Sequence, residues 1–239
     1  MKAYCVVLAG GAGVRMGGKT PKQFLTLGGE PIVVRTVRSV LRCVSFARVA
    51  VVYPGDWQRQ GEDALAAGGI DRSRVVVVRG GESRNESTVR GLEALRADGA
   101  ADDDVAVVCD GVRPFVSLRL LEDCISETKR HGACIAAVPA IDSMLEVEDG
   151  RIVAVPRRAR LFHGQTPCGA FVGVLERALR ESAASGGGAA GTAQLLFESG
   201  IGVSTFPGDQ LNFKITTVED LRRAESVLSR QTENGLRKM

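Results

Sequence analysis

Short, unbroken runs rich in Val, Ala and Ile recur at Tyr4–Ala9, Ala47–Tyr53, Arg74–Val78, Val105–Cys109 and Ala133–Val138, each followed within two residues by Gly, Pro or Asp. A strand with one wet face alternates apolar and polar residues, so a continuous apolar run fits a strand covered on both faces, as in a parallel sheet. Segments with helical spacing lie between the runs, at Pro31–Arg42, Asp56–Ala67, Arg84–Ala97 and Ser117–Arg130. Strand and helix therefore alternate, which predicts right-handed crossovers and an open, doubly wound α/β sheet with its ligand beyond the carboxyl ends of the strands. A single domain is expected over residues 1–230, followed by a polar tail at 231–239.

The pattern changes from Ala140 to Arg160. Two alternating stretches, Ile141–Val147 and Arg151–Pro156, flank an acidic Asp149-Gly150 turn and read as a β-hairpin. A two-stranded hairpin is marginal alone in water, so this arm is expected to pack on something else, and a second subunit is the natural candidate. Beyond it, helices are expected near Val172–Glu181 and Thr192–Ser199, a strand at Gly202–Phe206 and a last helix from about Thr217 to Ser229; the glycine-rich stretch Ser185–Gly191 is too short to be a linker of any reach.

Charge narrows the function. Against 31 Lys and Arg stand 28 Asp and Glu, too even a balance for a general grip on nucleic acid or anionic lipid. Aromatic residues make up only 5% of the chain, which leaves little material for base-stacking platforms. The six cysteines contain no C-x-x-C pair and indicate neither zinc nor a disulfide framework. No apolar stretch reaches the roughly 18 residues of a membrane span, and the first apolar run is too short for a signal-peptide core. These features predict a soluble, cytoplasmic protein with local, site-specific binding.

The chemistry is expected where the first strand enters Leu8-Ala-Gly-Gly-Ala-Gly-Val-Arg-Met-Gly-Gly-Lys-Thr-Pro-Lys22. Glycines let backbone N–H groups approach an anion, and Arg15, Lys19 and Lys22 add positive charge, so this reads as a phosphate loop. Gly11 and Gly13 match a dinucleotide fingerprint, but Met16 occupies its third glycine position. Gly13 to Thr20 matches G-x-x-x-x-G-K-[ST] literally. A P-loop lysine, however, opens a sheet-packed helix, and here Pro21, Gly28-Gly29 and Pro31 interrupt the chain.

Leu8-Ala-Gly-Gly-x-Gly-x-Arg-Met-Gly with Pro21-Lys22-Gln23-Phe24 resembles the signature of the cytidylyltransferases that activate sugar-alcohol phosphates, whose members act on 2-C-methyl-D-erythritol 4-phosphate or ribitol 5-phosphate. Gly80-Gly-Glu-Ser-Arg-Asn-Glu-Ser87, Cys109-Asp-Gly-Val-Arg-Pro114, Gly164-Gln-Thr-Pro167 and Asn212-Phe-Lys-Ile-Thr216 follow in the family's order and near its spacing. The resemblance implies a Rossmann-like sheet of the nucleotide-diphospho-sugar transferase type, and attack of a phosphopolyol phosphate on the α-phosphorus of CTP with pyrophosphate leaving. Charge then builds on phosphoryl oxygens, a task for positioned cations rather than covalent catalysis.

By the same resemblance, Arg15, Lys22, Arg158 and Lys214 are the catalytic cations, and the Leu8, Ala9, Gly10 and Gly11 backbone cradles the nucleotide. Gly80, Gly81 and Ser87, with Glu82 and Arg84 alongside, read the cytosine, although the same turn also needs an ordinary helix cap at Glu82 or Ser83. Asp110, at the end of the fourth strand, is a hard carboxylate suited to Mg²⁺. Cys109 stands where the family commonly has His; it reads as a buried strand residue. Arg113, Ser143, Thr166, Arg158 and Lys214 match positions that handle the acceptor. The resemblance implies an arm exchanged within a homodimer, so that Ser143 and Arg158 would serve the partner's site.

The erythritol-phosphate branch commonly carries Asp-Thr and a basic residue on the arm and Thr-Asp-x-x-Ser before the last strand; this chain has Asp142-Ser143-Met144-Leu145 and Gly191-Thr192-Ala193-Gln194. Asp110–Phe115, Arg84-Asn85-Glu86 and Ile141-Asp142-Ser143 look more like the ribitol-phosphate branch, so D-ribitol 5-phosphate is the expected acceptor and 2-C-methyl-D-erythritol 4-phosphate the alternative. A P-loop kinase using Lys19 and Thr20, or a non-catalytic nucleotide-binding subunit, are remoter readings. Against the latter stands the retention of Arg15, Lys22, Asp110 and Lys214, since a mere binder needs no charge aimed at the α-phosphate.

Overall fold

Along β1 (Ala3–Leu8) successive side chains enter two different cores. Ala3, Cys5 and Val7 join one buried cluster, and Tyr4, Val6 and Leu8 join another on the opposite face. Both faces being covered, every position of this strand is apolar, which is the physical content of its unbroken run. The computed structural model describes residues 1–10, 20–186 and 191–236, with side chains to Gln231.

After β1 come β2 (Thr26–Leu27), β3 (Glu30–Pro31), α1 (Ile32–Leu41), β4 (Phe46–Tyr53), α2 (Gln58–Ala67), β5 (Val75–Arg79), α3 (Arg84–Ala97), β6 (Val105–Asp110), α4 (Leu118–His131) and β7 (Ala133–Pro139). The second half holds β8 (Glu146–Glu148), β9 (Arg151–Ala154), β10 (Phe162–Phe171), α5 (Val172–Ala184), α6 (Thr192–Glu198), β11 (Ser204–Pro207) and α7 (Val218–Leu236). Seven strands form the main sheet in the order β11-β7-β10-β6-β1-β4-β5. β4 and β6 flank β1, both parallel to it, so the chain reverses its direction of winding there. That reversal opens a crevice at the carboxyl end of β1, where Leu8 lies beside Asp110.

The expected alternation holds, with two additions. β10, not anticipated from the sequence as a strand, runs antiparallel between β6 and β7, so the sheet is mixed. Its register shifts between Gln165 and Cys168, which accommodates Pro167 where a regular ladder would lack a donor. The last helix also runs past the expected end near Ser229 to Leu236, so residues 231–236 of the expected tail are helical.

The hairpin is present as β8 and β9. Asp149 and Gly150 both have positive φ, 48° and 74°, the geometry of the two-residue turn whose twist matches that of paired strands. Ile141, Leu145, Val147, Ile152, Val153 and Val155 on and around it are half or more exposed. No helix among the described residues is long and apolar enough to cross a membrane.

Candidate active site

Lys22 is held at the crevice by its own neighbour. Lys22–Phe24 form a short 3₁₀ turn, and Phe24 enters the core with its ring 5.8 Å from that of Tyr53 and 5.6 Å from that of Trp57. The anchored turn leaves Lys22 lining the cleft with Leu8, Ala9 and Gly10. No helix follows until Ile32, so the helix a P-loop lysine requires is missing from the segment after Thr20. Gly11 and Arg15 lie outside the described residues.

The opposite wall is the turn from β5 into α3. The Gly80 amide donates to the Tyr53 carbonyl at 2.6 Å, and a Cβ on Gly80 would lie 2.8 Å from Ser87 Oγ and 2.9 Å from that carbonyl, so only glycine fits. Ser87 Oγ accepts from the Gly81 amide at 3.2 Å. Of the two candidate caps, Ser83 is the one used: its hydroxyl accepts from the Glu86 amide at 3.0 Å, while the Glu86 carboxylate reaches back to the Glu82 amide at 2.8 Å. Gly81, Glu82, Arg84 and Ser87 line the same cleft as Lys22.

Asp110, the last residue of β6, is 7% exposed and faces three cations from three separate segments. Its Oδ2 lies 3.1 Å from Arg113 Nε and 3.2 Å from Lys214 Nζ; its Oδ1 lies 3.6 Å from Arg84. Burial alone would raise this carboxyl group, but Lys214, Arg113 and Arg84 outweigh it and hold it at about 2. Cys109, next to it, is buried as expected and belongs to the cluster on one face of the sheet.

Polar braces that sequence reasoning did not single out fix these cations. Asn212 donates from Nδ2 to the Thr166 carbonyl at 2.8 Å, and its backbone carbonyl accepts from Arg113 Nη1 at 2.6 Å. Gln165 donates to the Asp209 carbonyl at 2.9 Å. The Phe213 ring sits 5.7 Å from that of Phe115 and the Arg223 guanidinium lies 4.1 Å from its centroid, so two contacts hold the residue next to Lys214. Thr166 Oγ1 accepts from the Asp110 amide at 3.0 Å. Gln165 and Asn212 stand inside quoted motifs, and that was their one signal; among irregular residues a short polar side chain looks like any loop residue.

A second cavity opens beside the first, lined by Arg113, Gly164, Gln165, Thr166, Thr192 and Gln194 among others. Arg84, Asp110 and Lys214 line both and form the partition between them. One cavity thus offers backbone and glycine turns around a flat or phosphorylated ligand, the other hydroxyl, amide and guanidinium groups, with a charged junction in between. Ser143 and Arg158 line neither cavity. Both are exposed on or beside the arm, where Arg158 donates to the Ile141 carbonyl at 3.1 Å.

Residues 3–230 match the protein family described as "IspD: 2-C-methyl-D-erythritol 4-phosphate cytidylyltransferase". The ribitol-5-phosphate cytidylyltransferase of Lactiplantibacillus plantarum (strain ATCC BAA-793 / NCIMB 8826 / WCFS1) is 34% identical over 96% of this chain and 99% of that protein. Its namesake from Streptococcus pneumoniae (strain Hungary19A-6) is 33% identical over 95% and 99%. Among solved structures, 4-diphosphocytidyl-2C-methyl-D-erythritol synthase from Anaerococcus prevotii DSM 20548 superimposes with a TM-score of 0.82 at 25% identity, covering 95% of this chain and 98% of that one.

Proposed function

Since the chain belongs to the 2-C-methyl-D-erythritol 4-phosphate cytidylyltransferase (IspD) family and is a nucleotidyltransferase, we propose that it transfers CMP from CTP to D-ribitol 5-phosphate. The observation that carries the reading is the charged partition of Arg84, Asp110 and Lys214 between two adjoining cavities. A reaction that joins two phosphorylated molecules needs two pockets meeting at cations. An oxygen of the acceptor phosphate attacks the α-phosphorus of CTP, a new P–O bond forms, and the bond to pyrophosphate breaks. Lys22 meets the growing charge from the nucleotide side and Lys214 meets it from the partition. Arg113 and Thr166 face the acceptor cavity and orient its phosphate and hydroxyls.

Asp110 suits a Mg²⁺ ion carried by the triphosphate. Magnesium typically takes one or two carboxylates and completes its shell with phosphate and water. The Asp110 Oδ1 has Arg84 at 3.6 Å, beyond hydrogen-bond distance, and so retains acceptor capacity. Among the described residues no cluster of three or more acidic, His or Cys side chains offers a ready cage, so triphosphate and water would supply the remaining ligands. When bound, the ion would offset the charge of the triphosphate.

Ribitol phosphate is favoured because the relatives named for it match at 33–34% identity over nearly the whole chain. The family's own description supports a second reading, 2-C-methyl-D-erythritol 4-phosphate. The exposed apolar arm supports a homodimer in which Ser143 and Arg158 complete the partner's acceptor site. Pyrophosphate release measured with CTP against both phosphopolyols decides the acceptor. The expected result is a higher kcat/KM for D-ribitol 5-phosphate; preference for the erythritol phosphate would transfer the assignment to the second reading.

A further inference from the structure

Arg84 opens α3, and its guanidinium turns across to a different element. Its Nη1 donates to Thr192 Oγ1 at 2.8 Å, while its Nη2 lies 3.6 Å from Asp110. Thr192 opens α6 and is 4% exposed. Gly191, at the cap of that helix, makes no side-chain cap bond, and the Thr192 hydroxyl is turned toward Arg84. The contact joins residues 108 positions apart and closes the wall between α3 and α6.

The two anchors of Arg84 differ in kind. An incoming phosphate competes with Asp110 for the guanidinium, because both are anions seeking the same charge. It gains far less by displacing a neutral hydroxyl. A long, flexible arginine loses rotamer freedom on being fixed, and a site that fixes it beforehand spares the substrate that cost.

We propose that Thr192 is a positioning residue for the transfer step, its buried hydroxyl holding the Arg84 guanidinium at the partition so that the acceptor phosphate meets a cation already in place. The proposal rests on the acceptor assigned above to the cavity that Thr192 lines. Its residue type is the specific claim: a hydroxyl is required at 192, whereas the methyl is not.

The test compares Thr192→Val, which keeps the shape and removes the acceptor, with Thr192→Ser, which keeps the acceptor. Thr192→Val should raise the KM for the phosphopolyol about tenfold, as expected for losing a hydrogen bond to a charged group, and by a larger factor than the KM for CTP. Thr192→Ser should restore the wild-type value. In a double-mutant cycle, Thr192→Val should add little to Arg84→Ala, since the hydroxyl acts through that side chain. Calorimetry with inorganic phosphate, which needs no turnover, should show weaker binding to Thr192→Val. Equal phosphate affinity and equal acceptor KM in wild type and Thr192→Val, or fully additive penalties, would overturn the positioning role. A wild-type protein that binds phosphate through Thr192 yet transfers no CMP would instead overturn the function and leave the hydroxyl's role standing.

Discussion

Asp110 keeps its charge in the folded chain below the pH at which an unfolded aspartate, near 3.9, takes up a proton. The sign follows: a lowered folded value gives stability that is present above about pH 4 and is lost as the pH falls toward 2. Asp110→Asn removes that contribution and leaves Arg84, Arg113 and Lys214 without their counter-charge. A loss of roughly 2 kcal/mol is expected at pH 7, less than for a fully buried pair because water reaches Lys214. Denaturant titrations at pH 7 and pH 3 should show the gap between wild type and Asp110→Asn closing in acid. The same variant should need more Mg²⁺, and EDTA should stop the wild type; undiminished turnover in EDTA would remove Asp110 from metal binding. Lys22→Ala makes a contrasting case. Phe24 anchors the turn through its ring contacts, so the fold should survive the substitution while kcat falls roughly a hundredfold or more, as for other preorganised electrostatic donors. Normal turnover in a stable Lys22→Ala protein would contradict its role. The sequence made each of these residues visible through a motif, but not their convergence. Arg84, Arg113 and Lys214 are far apart in the chain, and only the folded sheet end brings them onto one carboxylate.

At the scale of elements, legibility tracked burial. The strands β1, β4, β5, β6 and β7 lie within a residue or two of where their apolar runs predict, because each has both faces or most of both faces covered. α3 spans the residues its spacing indicates, fixed at its start by the Ser83 cap. β10 escaped for a physical reason. It holds Gly164, Gln165, Thr166, Pro167 and Gly169, and its polar residues spend their hydrogen bonds on Asp110, Asp209 and Asn212, leaving no apolar period to read. The residues that made it illegible as a strand are among those that line the second cavity. At the C-terminus the limit was of another kind. Past Ser229 the sequence has no apolar side chain before Leu236, so its pattern does not reveal where the helix ends.

The whole molecule carries an arm that a lone chain leaves uncovered, with Ile141, Ile152 and Val155 more than half exposed. A homodimer is therefore expected by light scattering, and Arg158 would then act across the interface. Mixing inactive Arg158→Ala and Lys22→Ala subunits should yield heterodimers with one intact site. Activity should return toward about a quarter of wild type for random pairing, a figure that follows from two-fold symmetry. Verified heterodimers without activity would mean that each arm serves its own subunit. The ring stack behind Lys22 has an optical consequence for the chain as a whole. Trp57 is its sole tryptophan, so the protein's indole emission originates at one point, against the Phe24 ring that anchors the turn bearing Lys22. Native fluorescence, with no label attached, is therefore a local gauge of that turn's environment as ligands enter the cleft.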